Sequence, residues 1–256
     1  MSVTSFVTGN RFARTLGVVV LLFAMLVAPL NQAQAQTITP VHTKLTADLA
    51  NGGSYGKHQI TPDGSHVVYL ADPTTVGTIE IFSVPINGGT AVKLNGALAA
   101  GHSVQNFAIS PDGKTVVFQV GPNQITTFAV YSVPVAGGTA VKLTPDAPAD
   151  SQISFQANFS PISPDSQYVL YTLLSTSTFQ AYALFSVPIL GGTPVQLNPK
   201  LVEGGSIGSF SVSLNSQRVI YSASQEKANV SEIYSVPIGG GTATKLNIEI
   251  GEGDSV

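Results

Sequence analysis

One unit is written four times in this chain of 256 residues, and a fixed-period repeat constrains the fold more than any other feature of the sequence. Phe82-Ser83-Val84-Pro85, Tyr131-Ser132-Val133-Pro134, Phe185-Ser186-Val187-Pro188 and Tyr234-Ser235-Val236-Pro237 are copies of one motif, with prolines 49, 54 and 49 residues apart. Each copy runs on into Gly-Gly-Thr, at Gly88-Gly89-Thr90, Gly137-Gly138-Thr139, Gly191-Gly192-Thr193 and Gly240-Gly241-Thr242. A second motif lies upstream: Pro62-Asp63-Gly64, Pro111-Asp112-Gly113, Pro164-Asp165-Ser166 and a decayed Leu214-Asn215-Ser216.

Each unit reads as four short strands rich in Val, Ile, Phe, Tyr and Thr, the residues that suit pleated, half-buried positions. In the second copy they are A (Val104 to Ser110), B (Thr115 to Val120), C (Phe128 to Val133) and D (Ala140 to Thr144). Pro-Asp-Gly turns A into B, because Asp bonds its own backbone and Gly accepts positive φ. Pro-x-x-Gly-Gly turns C into D, the proline ending the strand. Outside the N-terminal segment nothing carries a 3.6-residue apolar period, so the fold class is all-β. Four-stranded antiparallel units repeating at about 50 residues indicate a β-propeller. Its blades fall at about 55–95, 104–144, 153–198 and 207–247, and the aromatics at 82, 131, 185 and 234 are expected to pack between them.

Ile109 to Thr144, ISPDGKTVVFQV…FAVYSVPVAGGTAVKLT, resembles the WD40-like (PD40) repeat of TolB-type propellers. The resemblance covers nearly all of the chain after the leader, in four copies, and implies the propeller fold. It departs from true WD40 repeats in having no Trp, and it leaves no room for the separate N-terminal domain of TolB. Binding of TolB's peptidoglycan-associated partner is therefore not carried over. The repeat is also similar to propeller domains of prolyl-oligopeptidase-like peptidases, but no α/β catalytic domain follows it.

Residues 1–35 read as a secretory signal peptide: Arg11 and Arg14, an apolar run from Leu16 to Leu30, and an Ala33-Gln34-Ala35 cleavage site. The run is short of the roughly 20 residues that span a bilayer. The mature chain, 36–256, then holds nine basic and 14 acidic residues, a net charge of −5, and is expected in the periplasm or outside the cell. The absence of cysteine excludes disulfide scaffolds, thiolate metal sites and cysteine nucleophiles. Scattered Lys and Arg argue against a nucleic-acid surface.

From each D-strand leucine, ten residues lead to the next A strand, and Leu45 to Tyr55 and Leu246 to Val256 keep that step. Residues 41–46 thus read as a D strand without its A, B and C, and Val256 as the opening of a further A strand. Three arrangements are open: a piece of a longer propeller, a four-bladed ring with a spare strand, or open edges that pair between chains, since uncovered edges invite association.

No catalytic constellation emerges. Gly52-Gly53-Ser54-Tyr55-Gly56 and Gly204-Gly205-Ser206-Ile207-Gly208 match Gly-x-Ser-x-Gly, but a nucleophile elbow needs a preceding strand and a following helix. Both lie in loops entering A strands, and no His follows His102. The four histidines have no metal-ligand spacing, so no metal and no cofactor is assigned. The A–B and C–D turns are near-uniform, whereas the B–C and D–A connections vary. Variable loops on a rigid scaffold are where binding resides. The candidate binding residues are therefore Asp48, Asp72, His102, Asn123, Asp146, Asp150, Glu203 and Glu226. The expected activity is that of a non-catalytic module binding a protein, peptide or glycan. A propeller hydrolase or lyase with groups converging at the ring mouth, and a fragment of a larger propeller protein, stand as alternatives.

Overall fold

The computed structural model describes residues 43–46, 49, 52–73, 75–122, 128–155 and 161–248. The leader 1–35, Val41 and His42 of the expected first strand, Asp48, Asn123 and the strand expected to open at Val256 lie outside the described residues. Among the described residues there is no helix. Blade 1 holds β1 (Tyr55–Ile60), β2 (His66–Ala71), β3 (Glu80–Pro85) and β4 (Val92–Lys93). Blade 2 holds β5 (His102–Ile109), β6 (Thr115–Pro122), β7 (Ala129–Pro134) and β8 (Val141–Lys142). Blade 3 holds β9 (Ser151–Ser154), β10 (Tyr168–Ser175), β11 (Ala181–Pro188) and β12 (Val195–Gln196). Blade 4 holds β13 (Ile207–Val212), β14 (Arg218–Ala223), β15 (Glu232–Pro237) and β16 (Thr244–Lys245). Within each blade, strands adjacent in sequence pair antiparallel, and a single bridge, Ala181 to Ile207, joins blades 3 and 4.

The A–B turn works the same way four times. Thr61, Ser110 and Ser163 donate their hydroxyls to Asp63, Asp112 and Asp165 at 2.6 Å, and Ser213 to Asn215 at 2.7 Å. The same carboxylate or amide oxygen accepts a backbone N–H two residues on. The positive-φ position is Gly64 or Gly113 in two copies and Ser166 or Ser216 in the others. The serines stand there with a purpose: Ser166 Oγ accepts the Asp112 N–H at 3.1 Å and Ser216 Oγ the Asp165 N–H at 2.9 Å, tying each turn to the blade before it.

The D strands are two residues long, shorter than the composition suggests. After β4, β8, β12 and β16, Leu94, Leu143, Leu197 and Leu246 each donate one more N–H to the C strand. The next residue then turns its side chain inward, so Asn95, Thr144, Asn198 and Asn247 accept the N–H of Ile81, Val130, Leu184 and Ile233 at 2.8–3.1 Å. A side chain replaces the backbone partner, which satisfies the C-strand amide and releases the D strand toward the next blade.

Three apolar cores lie between successive blades. Val68, Leu70, Ile81 and Leu94 meet Val104, Phe107, Val116, Phe118 and Val133. Val117, Val130 and Leu143 meet Ile153, Phe155, Tyr171 and Val187. Leu170, Leu184 and Leu197 meet Ile207, Phe210, Val219, Tyr221, Tyr234 and Val236. Each of blades 1 to 3 is thus sealed by the blade that follows it, as the repeat demands. On blade 1, Tyr69, Ala71 and Val84 are covered instead by Leu45 and Leu49. Residues 43–46 are in no strand, yet Thr43 takes the place of a D-strand valine. Its Cγ2 lies 2.9 Å from where a Cβ on Gly88 would sit, as Val92, Val141 and Val195 crowd Gly137, Gly191 and Gly240 at 2.5–2.9 Å. These glycines have φ of 93–99°, so both backbone and neighbour exclude a side chain. Among the described residues no core cluster joins blade 4 to blade 1.

Candidate functional site

Four cross-strand rows run through the blades, and the site follows from how they end. Tyr69 stacks on Phe82, Phe118 on Tyr131, Tyr171 on Phe185 and Tyr221 on Tyr234, with ring centroids 5.1–5.6 Å apart. The C-strand member faces Lys93, Lys142, Gln196 or Lys245 across the edge strand. Side chains two apart share a face of a strand, so the residue two before each C-strand aromatic lies diagonal to that partner. It is Glu80, Ala129, Ala183 and Glu232 in blades 1 to 4.

Where glutamate stands, it closes the face. Glu80 is buried and pairs with Lys93. Glu232 is buried, pairs with Lys245 and accepts the Tyr234 hydroxyl at 2.7 Å. Lys245 also reaches Glu226 at 3.4 Å. Burial raises the Glu232 carboxyl, but the hydrogen bonds from Lys245 and Tyr234 outweigh it and the carboxyl ends below its ordinary value. Lys245 is raised, first by its bond to Glu232. Burial and the bond to Glu232 push the Tyr234 hydroxyl up as well, and burial alone pushes Tyr221 up to about 12.

Where alanine stands, the face opens. On blade 2 a cavity of about 810 Å³ lies against the Phe118–Tyr131 pair, bounded by Phe128, Ala129 and the D–A segment Asn95-Gly96-Ala97-Leu98-Ala99. On blade 3 a second space of about 560 Å³ is lined by Ala183, Tyr182, Phe185, Gln196 and Leu201. The blade 2 cavity lies in the 300–1,000 Å³ range of small-ligand sites, which are mostly apolar with a few placed polar groups. Its polar side chains are Asn95, His102, Tyr131, Thr139 and Asp146. With no glutamate at position 129, Lys142 turns outward to Asp146 at 2.5 Å, where the carboxylate is almost fully exposed. That bond and the lysine's charge lower the Asp146 carboxyl.

The candidate residues read from the sequence are distributed as follows. His102 and Asp146 both line the blade 2 cavity; the structure places His102 as the first residue of β5 rather than in the D–A connection, and Asp146 in the connection after β8. His102 Nδ1 lies 3.2 Å from the Ala100 carbonyl oxygen. Asp72 is buried, and its carboxylate accepts the Gly77 N–H at 3.0 Å, the Ser54 N–H and the Ser54 hydroxyl at 3.1 Å. These bonds, Gly77's first, hold it below the usual carboxylate range and leave it organising its own loop. Asp150 is exposed at φ 58°, its carbonyl oxygen taking the Thr176 N–H at 2.9 Å. Glu203 is exposed in a turn closed by Gly205 N–H to Val202 oxygen at 2.9 Å, and Glu226 belongs to the Lys245 cluster of blade 4. Asp48 and Asn123 are outside the described residues.

Ala129, Phe118, Tyr131 and Leu98 escaped the sequence reading, which weighed loop polar groups rather than small residues on the blade face. The signal was present as the alternation Glu80, Ala129, Ala183, Glu232 at one repeat position. The two Gly-x-Ser-x-Gly segments lead into β1 and β13, strands rather than helices. Asp63, recurrent in the A–B turn, is held at about 2, first by the Thr61 hydroxyl. Among the described residues no group of three or more His, Asp or Glu is placed to hold a metal ion.

No family model matches the chain, and no curated protein matches it. Among solved structures it is similar to a prolyl endopeptidase from a study of two such enzymes and their inter-domain dynamics, with 14% identity and TM-score 0.53 over 78% of this chain and 30% of that one. It is similar to an oligogalacturonate lyase in complex with manganese, with 10% identity and TM-score 0.51 over 74% of this chain and 52% of that one. A TolB-type structure from Agrobacterium tumefaciens matches with 19% identity and TM-score 0.42 over 77% of this chain and 67% of that one. The chain thus spans about a third to a half of the two enzymes. At these identities the likeness concerns fold alone: the four four-stranded antiparallel units are blades of the β-propeller type.

Proposed function

We propose that this chain is an exported, non-catalytic β-propeller module that captures a protein, peptide or glycan through its variable-loop side, with the blade 2 cavity as the seat. The observation that carries this reading is the cavity itself: a recess of about 810 Å³ with His102, at the head of β5, and Asp146, from the connection after β8, at its lining. Export rests on the Arg11–Arg14 segment, the apolar run and the Ala33-Gln34-Ala35 site, and among the described residues no helix is long and apolar enough to cross a membrane. The non-catalytic reading rests on the loop setting of Ser54 and Ser206 and on carboxylates committed to turns.

The test compares the wild-type chain with Ala129→Glu, which places blade 1's residue in blade 2, on arrays of peptides and glycans. A set of ligands lost on the variant supports the seat; identical patterns for the two proteins, or no binding by either, reject it.

A second copy of the chain is proposed as a further partner. Leu94, Leu143 and Leu197 are buried under the next blade at 1–2% exposure, while Leu246 at the same position is 55% exposed and Ile248 is 86% exposed. Light scattering across a concentration series reads this: a dimer that Leu246→Glu dissolves is the expected result, and a monomer throughout rejects it.

A further inference from the structure

The filled blades state what the open one is shaped to receive. In blades 1 and 4, the position diagonal to the edge-strand lysine holds a glutamate side chain rooted in an extended strand between apolar neighbours, Ile79 and Ile81 around Glu80 and Ile233 after Glu232. Blade 2 keeps the lysine, the aromatic pair and the register, Tyr131 opposite Lys142, but lacks the carboxylate and has Thr144 in place of the asparagine of blades 1 and 4. Its walls beyond Ala129 are Leu98, Val120 and Phe128, apolar surface for residues flanking an acid. Blade 3 differs in its cation: Gln196 replaces the edge-strand lysine, although Lys200 lines that space.

We propose that the blade 2 cavity binds an acidic peptide segment, a glutamate with apolar or aromatic neighbours, and that the incoming carboxylate takes Lys142 from Asp146. This rests on the binding-module reading above and specifies its ligand. The exchange is feasible because the Lys142–Asp146 pair is exposed, at 40% and 95%, and exposed pairs contribute little. Blades 1 and 4 display the end point of this exchange, a glutamate at the equivalent position meeting the edge-strand lysine, and a charge-assisted hydrogen bond is stronger than a neutral one. A peptide is favoured over a sugar acid because Leu98, Val120 and Phe128 give apolar contact to the residues flanking a glutamate, which a sugar acid has no side chains to use.

The probes are Ac-Leu-Glu-Phe-NH2, its isosteric Ac-Leu-Gln-Phe-NH2 and tri-galacturonate, titrated calorimetrically into the full chain. The Glu peptide is expected to bind about tenfold more tightly than the Gln peptide. Lys142→Met removes that preference, and Asp146→Asn, which frees Lys142, strengthens Glu-peptide binding several-fold. Equal affinity for the two peptides on the wild-type protein overturns the proposal and leaves the binding module intact, and this comparison needs no variant to fold. Tighter binding of tri-galacturonate than of the Glu peptide overturns the peptide assignment. Absence of all binding by every array ligand would instead fall on the module reading itself.

Discussion

Blades 2 and 4 share a register, a stacked aromatic pair and an edge-strand lysine, and they differ most at one position, Ala129 against Glu232, with Thr144 standing where blade 4 has Asn247. In blade 4, Glu232 draws Lys245 and the Tyr234 hydroxyl inward, and Tyr234 is 1% exposed. In blade 2, Ala129 offers no acceptor, Lys142 leaves for Asp146, and Tyr131 remains half-buried beside a cavity. The difference teaches that the propeller scaffold tolerates an open or a closed face at the same position. Fold lives in the turns, the aromatic pairs and the inter-blade cores; binding capacity lives in what the C strand places beneath the edge lysine. An edge-strand lysine also discourages unwanted strand pairing, so it is retained whether or not a glutamate meets it.

The largest expected effect separates the two tyrosines. Tyr234→Ala should cost about 3 to 4 kcal/mol in urea denaturation, the range for a fully buried aromatic. Tyr131→Ala should cost about half that, since its ring already borders open space. Equal losses would break the comparison.

Next comes the carboxylate. Glu232→Ala leaves the buried Tyr234 phenol without its acceptor and Lys245 with only Glu226, and should destabilise by about 2 kcal/mol, while Glu80→Ala, whose lysine is 42% exposed, should cost less. The pH dependence sharpens this point. Glu232 is depressed below 4.5 in the folded chain, so its contribution is present above that pH and is lost as pH falls through the folded value. Lys245 is raised above 10.5, so its contribution holds below that pH and is lost as pH rises through the raised value. The melting-temperature gap between wild type and Glu232→Gln should therefore be flat near neutrality and shrink below about pH 4. A gap that widens on acidification contradicts the assignment.

Much of this architecture is readable without coordinates. The Pro-Asp-Gly and Pro-x-x-Gly-Gly turns name strand ends because Gly accepts positive φ most readily, as at Gly64 and Gly113, with Ser166 and Ser216 taking it in the other two copies. The decayed Leu214-Asn215-Ser216 turn keeps the same bonds, as Asn215 accepts what Asp63 accepts. The binding surface is less legible. Asp72 and Asp146 look alike in the sequence, both acids in variable connections, yet one is wrapped by Ser54 and Gly77 and the other stands in solvent. That outcome depends on loop paths, which no periodicity encodes. Ala129 was passed over for a related reason: alanine carries no chemistry, and its meaning appears only when register places it diagonal to Lys142.

The smallest stability effect belongs to the most informative substitution. Ala129→Glu should change stability by less than about 1 kcal/mol, because the residue it introduces is native to blades 1 and 4 and meets a lysine already in place. Its structure is the most direct test of the account. The new carboxylate is expected to pair with Lys142 Nζ, release Asp146 and fill the space against Phe118 and Tyr131. A side chain turned to solvent, with Lys142 still on Asp146 and the cavity unchanged, would contradict the claim that this one position opens the face.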